Sequence, residues 1–185
     1  MLTRRKIVHI HPTRLCNLKC LHCYSTSGPG KHASLDADLV LETTGDLRRF
    51  GYEQVSLSGG EPTLYPQLEH LCEGLRGQDY SVSIITNGWN VRKLQSLIVG
   101  GVLHSVAVSF DGLESLHDRI RQREGAFRAA IASVGKLRNS PCRVGAVISV
   151  TYASMLDLTE LVDTLLDVGV SSIQFHPVAE LGRAS

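Results

Sequence analysis

TRLCNLKCLHCY, residues 13–24, is the stretch that constrains this chain most. It places Cys16, Cys20 and Cys23 at gaps of three and two residues, which keeps the three sulfurs on one tight loop. A four-iron, four-sulfur cluster takes one thiolate per iron, so a three-cysteine loop leaves one iron open to a substrate or a cofactor. Open coordination positions react, whereas closed ones stabilise. The spacing therefore favours a reactive [4Fe–4S] cluster.

Three cysteines also fit other sites. A zinc ion needs a fourth ligand, for which His22 and His11 are candidates. Disulfides and three unrelated thiols are further alternatives, although five cysteines with three of them clustered fit a reducing compartment better than a disulfide framework. The other two cysteines, Cys72 on a helical face and Cys142 at the start of a strand, are predicted to be buried structural thiols.

A second motif, Ser58-Gly59-Gly60-Glu61-Pro62, directly follows the apolar run Val55-Ser56-Leu57. Paired glycines let a ligand approach the backbone closely. A carboxylate behind them can receive an ammonium group. The motif therefore indicates a binding site at the end of a strand, with an ordinary surface turn as the alternative.

Together the two motifs resemble the radical S-adenosylmethionine superfamily. The resemblance continues, in the order of the family, through Thr86-Asn87-Gly88, Ser109-Phe110-Asp111-Gly112, His117-Asp118-Arg119-Ile120-Arg121 and Gly125-Ala126-Phe127. It covers nearly the whole chain, and each landmark lies at the end of a predicted strand or just beyond it. The chain is identified as a member of this superfamily, closest in pattern to its peptide-modifying and haem-tailoring members.

Short β-rich runs alternate with stretches of helical periodicity, the pattern of βα units around a parallel sheet. The resemblance implies an α/β fold, a partial (βα)6 parallel-stranded barrel that is open on one side. Since the sequence has no linker or low-complexity tract, we predict one domain over residues 1–185. The six predicted strands are Lys6–His11, Gln54–Ser58, Ser81–Thr86, Ser105–Phe110, Arg143–Val150 and Ser171–His176.

Steps of three and four residues place apolar side chains on one face of each helix between the strands. We expect every such face to pack into the core. The faces are Leu39, Val40, Thr43, Leu47 and Phe50; Leu68, Leu71, Cys72 and Leu75; Leu94, Leu97 and Ile98; Phe127, Ala130, Ile131, Val134 and Leu137; and Leu158, Leu161, Val162 and Leu165.

The resemblance assigns the cofactor ligands. It implies that Cys16, Cys20 and Cys23 bind three irons of a [4Fe–4S] cluster, and that the amino and carboxylate groups of S-adenosylmethionine chelate the fourth iron. It also implies that Glu61, with the backbone of Gly59-Gly60, holds the ammonium group of the methionine.

Further positions match cofactor contacts in the family. His22 stands where relatives commonly have an aromatic residue beside the adenine, and an imidazole can stack similarly; a metal ligand or a solvated loop residue is the alternative. Ser109 and Asp111 match contacts to the ribose or the methionine end of the cofactor. A serine and an Asp-Gly pair after a strand also make ordinary turns and helix caps.

Two more cofactor contacts are predicted. Arg121 matches an arginine of peptide-modifying members that pairs with the cofactor carboxylate, with a solvated surface arginine as the alternative. Just beyond it, Gln122 and Glu124 stand where relatives often have glycine and proline, so the following loop departs from the family pattern. Asn87 is expected to face the cofactor pocket or to form a common Asn-Gly turn.

The resemblance implies radical chemistry supplied by an electron donor such as a flavodoxin or a ferredoxin. One electron would split bound S-adenosylmethionine into methionine and a 5′-deoxyadenosyl radical, which would abstract hydrogen from a substrate held over the barrel mouth. Since such a radical also attacks solvent, the site must be dry and the substrate tightly placed. Relatives with this motif set modify peptides or tailor haem-like tetrapyrroles.

Those relatives carry a cysteine-rich C-terminal extension for auxiliary clusters, and this sequence has none. We therefore expect either a fragment of a longer enzyme or a core whose open side is closed by a partner protein or a homo-oligomer. The alternative functions are a truncated core that binds cluster and cofactor without full turnover, and a zinc-binding structural protein.

Composition limits the classes of partner. Lysine and arginine number 19 against 18 acidic residues, a formal net charge of +1, which gives no broad electrostatic case for binding nucleic acid or an anionic membrane. No segment reaches the length of a membrane-spanning helix, and the apolar run near the start is too short for a signal peptide. We expect a cytoplasmic protein.

Overall fold

Five βα units and a sixth strand follow one another along the described chain. The computed structural model describes residues 6–184. Its strands are β1 Lys6–Thr13, β2 Tyr52–Gly59, β3 Ser81–Thr86, β4 Leu103–Phe110, β5 Arg143–Val150 and β6 Ser172–Pro177. Its helices are α1 Ala37–Arg49, α2 Leu68–Gly77, α3 Gln95–Val99, α4 Glu114–Arg121, α5 Ala126–Leu137, α6 Tyr152–Met155 and α7 Leu158–Val168, with short 3₁₀ turns at Pro62–Leu64, Arg92–Leu94 and Gly182–Ala184.

The strands form one sheet in chain order, and every neighbouring pair is parallel. With β1 and β6 as its two edges, the sheet curls into a half-barrel. The predicted partial (βα)6 barrel is therefore confirmed. The bounds of β3 and β5 agree with the prediction, whereas β1 extends to Thr13 and β2 begins at Tyr52.

The two faces of the sheet differ in chemistry. Its outer face packs against the helices through fully buried residues such as Leu57, Ile84 and Val106. The alternate positions face the inside of the half-barrel and carry small polar residues, among them Ser56 and Ser83. Because side chains of a strand point alternately to opposite faces, only one face of this sheet is apolar core.

One predicted helical face is wrong in part. On α1, Leu39 is 58% exposed and Phe50 is 67% exposed. The buried face consists of Ala37, Val40 and Thr44, because the Asp36 side chain caps the helix at its first turn and sets this register. Phe50 lies just beyond the last helical residue.

The other predicted faces pack as expected. The predicted apolar residues of α2 are all buried, and so are Leu94, Leu97 and Ile98 around α3, while α5 and α7 each bury part of their stripe. Cys72 and Cys142 are buried free thiols, as predicted. Among the described residues, no helix is both long enough and apolar enough to cross a membrane.

Candidate functional site

A cavity of about 1250 Å³ occupies the inside of the half-barrel. The carboxyl ends of parallel strands meet at one edge of a sheet, so residues that follow different strands converge there. The structure brings most of the predicted site residues to the cavity wall. These are Cys16, Cys20, His22, Cys23, Gly59, Gly60, Asn87, Ser109 and Arg121. The side chains of Glu61 and Asp111 are buried behind this wall.

The cysteine loop follows β1 and is closed by backbone bonds. Cys16 N–H donates to the Gly28 carbonyl at 3.3 Å, and Leu21 N–H donates to the Ile120 carbonyl at 2.8 Å. The second bond attaches the middle of the loop to α4. The loop is therefore fixed to the rest of the fold in the interval between its cysteines.

The three thiols are close enough to influence one another's ionisation. Burial raises the pKa of Cys16 to about 11, and the neighbouring charges of Glu61, Cys20 and Cys23 add to this. Burial also raises the pKa of Cys20, against the charges of Arg121 and Arg183. Metal binding deprotonates such thiols, so a bound cluster would take up the negative charge that burial otherwise penalises. The donor set fits a cluster with three thiolate ligands.

The imidazoles considered as zinc ligands are engaged elsewhere. His22 Nε2 is 2.7 Å from Asp111 Oδ1, and His11 Nε2 is 2.9 Å from the hydroxyl of Tyr24. Within residues 6–184, no three His, Cys, Asp or Glu side chains are placed to share one metal ion. Each cysteine of a cluster binds a different iron, which spaces the sulfurs more widely than the ligands of a single zinc ion.

Gly59 and Gly60 allow the end of β2 to contact the cysteine loop. A Cβ on Gly60 would lie 2.3 Å from the carbonyl oxygen of Leu15, and Gly59, with φ of +97°, would place one 2.7 Å from the Cβ of His11. The N–H of Gly60 donates to the Thr13 carbonyl at 2.9 Å. The two glycines were predicted to let a ligand approach the backbone closely. In the structure they also let the chain's own cysteine loop approach it.

The Glu61 carboxylate joins the ends of two strands. It is 2% exposed, and its Oε1 accepts hydrogen bonds from the backbone N–H and hydroxyl of Thr63 and from the hydroxyl of Thr86. Its Oε2 accepts one bond, from Asn87 N–H at 2.8 Å. Burial raises the pKa of Glu61 against these bonds. Since a carboxylate oxygen has two lone pairs, Oε2 keeps one acceptor site.

Asn87 connects Glu61 to the cysteine loop. Its Nδ2 donates to Asn17 Oδ1 at 2.8 Å and lies 3.9 Å from the sulfur of Cys16. Its Oδ1 accepts from the N–H of Trp89 at 2.9 Å. The Asn-Gly pair is therefore more than a turn, because its side chain bonds to a residue between two cysteines.

Asp111 anchors a second buried network, which reaches the cysteine loop at His22. Fully buried, it accepts hydrogen bonds from His22 and from Arg121 Nε. Burial alone would raise the pKa of Asp111, but the Arg121 guanidinium and the His22 ring hold it well below its ordinary value. Burial would lower the pKa of Arg121, and the Asp111 carboxylate raises it instead. Arg121 is 6% exposed, which excludes the solvated surface alternative.

Residues of the stretch from His117 to Arg121 have identifiable structural roles. His117 Nδ1 accepts a hydrogen bond from the backbone N–H of Asp111 at 3.2 Å. Asp118 caps α5 by accepting from the N–H groups of Gly125 and Phe127 at 2.6 and 2.8 Å. Gln122 closes α4 in the left-handed conformation, with φ of +53°, which glycine adopts at less cost, so the departure from the family's glycine introduces backbone strain here.

Several residues of the site were not predicted from the sequence. His117 is fully buried between Phe110 and Phe127, and its Nε2 is a buried polar atom without a partner among the described residues. Arg183 donates from Nε to the Cys20 carbonyl at 2.8 Å and from Nη1 to the Ser27 carbonyl at 2.7 Å. His117 lay inside a recognised motif, but nothing in the sequence links Arg183 to a loop more than 150 residues before it.

Comparison with known families gives one match over most of the chain. The sequence profile of the Radical SAM superfamily matches residues 10–168. Similar curated proteins include Fe-coproporphyrin III synthase of Methanosarcina barkeri, 29% identical over 98% of this chain and 46% of its own length. Pre-heme d1 synthase of Dinoroseobacter shibae is 31% identical over 99% of this chain and 46% of its own length.

A peptide-maturing protein is also similar. Sporulation killing factor maturation protein SkfB of Bacillus subtilis is 24% identical over 94% of this chain and 42% of its own length. The chain thus spans less than half the length of these relatives. Among solved structures, Streptococcus suis SuiB bound to S-adenosylmethionine has a TM-score of 0.73 at 20% identity, covering 96% of this chain and 41% of SuiB, a likeness in fold.

Proposed function

Since the chain belongs to the radical SAM superfamily, we propose that it binds a [4Fe–4S] cluster through Cys16, Cys20 and Cys23 and uses S-adenosylmethionine. When bound, this pair supplies a 5′-deoxyadenosyl radical that abstracts hydrogen from a substrate. The residues of the chain hold the cofactors, exclude water and place the substrate. The observation that carries the proposal is that two buried carboxylates brace the cysteine loop at two points, Glu61 through Asn87 at Asn17 and Asp111 at His22.

Each carboxylate acts through a side chain that reaches the cavity. Glu61 orients Asn87, which bonds to the loop at Asn17. Asp111 orients His22, which lies on the loop itself. Residues held by buried hydrogen bonds keep one geometry, and this is what a reactive site requires of its supporting shell. The two networks support a loop that is preorganised for a cluster.

We assign the cofactor contacts on the same geometry. Gly59-Gly60 would approach the methionine end with its backbone, and we propose that the ammonium reaches Glu61 Oε2, which is buried behind this wall and accepts one bond. The hydroxyl of Ser109 lines the cavity and makes no hydrogen bond among the described residues. Arg121 uses only Nε to bind Asp111, so its two terminal nitrogens are the donors we propose for the cofactor carboxylate.

Asp111 and His22 complete this assignment. Because Asp111 has no exposed surface, we propose that it positions Arg121 and His22. The His22 ring would then lie against the adenine, with its Nε2–H donated to Asp111. This arrangement supports a stacking role, since the carboxylate fixes the plane of the imidazole.

For the substrate we propose a peptide or a tetrapyrrole. The names of the similar proteins support both: a coproporphyrin and a haem d1 precursor on one side, and the maturation of a killing factor on the other. SuiB has also been solved with its precursor peptide SuiA, at a TM-score of 0.74. We further propose one domain over residues 1–185, a flavodoxin or ferredoxin as electron donor, and a partner protein or a second copy at the open side.

The test is anaerobic reconstitution with iron and sulfide, followed by dithionite and S-adenosylmethionine. We expect about four irons per chain, a brown colour from sulfur-to-iron charge transfer, and 5′-deoxyadenosine detected by mass spectrometry. Cys20→Ala should abolish both cluster and product, whereas Cys142→Ala, a buried thiol outside the cavity, should keep them. Equal product from the Cys20 variant would refute the proposal.

The alternatives give different results in the same experiment. A colourless protein that retains zinc would establish the structural-zinc alternative. A brown protein with a full cluster and no 5′-deoxyadenosine would establish a core that binds its cofactors without cleavage. The iron content and the product assay therefore separate all three functions.

A further inference from the structure

The inner face of the half-barrel carries a row of polar residues at one level. Ser83 pairs with Ser56 of β2 on one side and Ser105 of β4 on the other, and Ser105 pairs with Arg143 of β5. Register partners in a parallel sheet lie side by side, so these four residues point to the same face. All four line the cavity, and Ser105 Oγ donates to Ser83 Oγ at 2.8 Å.

The charge of the cavity is one-sided. Among the described residues that line it there are three arginines and five histidines, and no aspartate or glutamate. A cavity lined by one sign of charge attracts ligands of the opposite sign. The chain as a whole is nearly neutral, at +1, so this bias is local to the inside of the half-barrel.

Among the three arginines that line the cavity, Arg143 is the one whose side chain has no partner among the described residues. Arg121 is paired with Asp111, and Arg183 donates to two carbonyls of the cysteine loop. In contrast, the Arg143 side chain makes no hydrogen bond or ion pair with any residue of the range 6–184. A guanidinium presents donors in a planar fork that matches a carboxylate. Nothing in the described fold occupies that fork.

The position of Arg143 also sets the distance between this polar row and the edge of the sheet where the cofactor is proposed to bind. Ser109 lies near the cofactor edge, and Ser105, at the level of Arg143, lies four residues earlier on the same strand. At about 3.3 Å per residue, the two levels are roughly 13 Å apart. A ligand that reaches Arg143 while presenting a carbon–hydrogen bond at the cofactor edge must span about this length.

We propose that Arg143, together with the hydroxyls of Ser105 and Ser83, forms a carboxylate-binding subsite for the substrate. The inference rests on the proposed function and specifies its substrate class: an elongated molecule with a carboxylate roughly 13 Å from the reacting carbon. One guanidinium with neutral hydroxyls matches a single negative charge. A tetrapyrrole side chain and a peptide both supply such a carboxylate.

The experiment measures equilibrium binding to reconstituted, unreduced protein by calorimetry. One probe is coproporphyrin III, compared with its neutral tetra-amide; the other is a six-residue peptide with two glutamates, compared with its glutamine counterpart. Arg143→Gln removes the charge at the subsite. Arg92→Gln is the matched control, because Arg92 is an exposed arginine outside the cavity.

We expect the preferred carboxylate probe to bind Arg143→Gln at least about 10-fold more weakly than wild type, since a hydrogen-bonded charge is lost. Arg92→Gln should bind like wild type, and the neutral counterpart should bind all three proteins weakly. The probe that shows this pattern identifies the source of the carboxylate. Equal affinity for Arg143→Gln, tight binding of the neutral counterpart, or binding of neither probe by wild type would overturn the proposal.

The result is separable from the test of the proposed function. Arg143 lies away from the cysteine loop, so dithionite-driven formation of 5′-deoxyadenosine without substrate should be the same in Arg143→Gln and wild type. If wild type forms no 5′-deoxyadenosine but its carboxylate binding depends on Arg143, the proposed function fails and the subsite stands. If wild type forms 5′-deoxyadenosine but carboxylate binding does not depend on Arg143, the proposed function stands and the subsite fails.

Discussion

Removing the charge of Asp111 should destabilise the fold through the cation it leaves behind. Asp111→Asn preserves size and one acceptor, but the Arg121 guanidinium then faces no negative charge. Because Asp111 is fully buried, water cannot take its place beside Arg121 Nε without opening the structure. Breaking a buried ion pair at one partner costs about 3–5 kcal/mol. For a chain of this size, that lowers the melting temperature by roughly 6–20 °C.

The assay is urea unfolding of the apoprotein at pH 7, followed by circular dichroism, with wild type and four variants: Asp111→Asn, Arg121→Met, the double variant and Glu114→Gln. Asp111→Asn should lose about 3 kcal/mol or more, and the double variant Asp111→Asn with Arg121→Met should recover at least about 1 kcal/mol of it. Glu114→Gln breaks the exposed pair with Arg128 and should cost less than about 1 kcal/mol. A loss for Asp111→Asn as small as that of Glu114→Gln, or additive effects in the double variant, would refute this reasoning.

Three further predictions concern residues around the loop. Gly60→Ala should abolish cluster binding, measured as iron per chain, because its Cβ would meet the Leu15 carbonyl at 2.3 Å, whereas Gly77→Ala, with open space at its Cβ, should retain it. Burial lowers the pKa of His117 to about 4, so between about pH 6.5 and 4 the unfolded chain binds a proton that the folded chain does not. The free energy of unfolding of wild type should therefore fall as the pH falls through this range. His117→Gln should flatten that slope in urea titrations at several pH values. Arg183→Ala should lower iron retention during gel filtration, since it frees two carbonyls of the loop, and an unchanged iron content would show that these bonds do not hold the loop.

Features that depend on short stretches of chain could be predicted from the sequence. The three cysteines and the six strands depend on spacing and on local composition, and the strands lie where they were predicted. The inward face of α1 could not be placed, because Leu39 and Val40 are adjacent and either could begin a helical stripe. The Asp36 cap decides between them, and a cap fixes register only once the helix start is known.

Features that depend on partners far apart in the chain could not be predicted from the sequence. Glu61 was predicted as a ligand contact, whereas its bonds to Thr86 and Asn87 exist only because β2 and β3 are neighbours. Asp111 and Arg121 were predicted separately as cofactor contacts, and the structure shows them as one buried pair. A motif thus indicates that a residue matters; its partner becomes visible only when the sheet is assembled.

The bonds of the cysteine loop also imply an order of events during folding. The loop is tied to β2 through Gly60, to α4 through Ile120 and to the last described turn through Arg183, whose bond to Cys20 spans 163 positions. Contacts between such distant positions form late, because the intervening chain must first lose its freedom. The three cysteines lie within eight residues and can come together early, whereas the bonds that fix their geometry form only with the rest of the fold. We therefore expect a cluster bound to these thiols to be held most firmly once the distant bonds of the loop have formed.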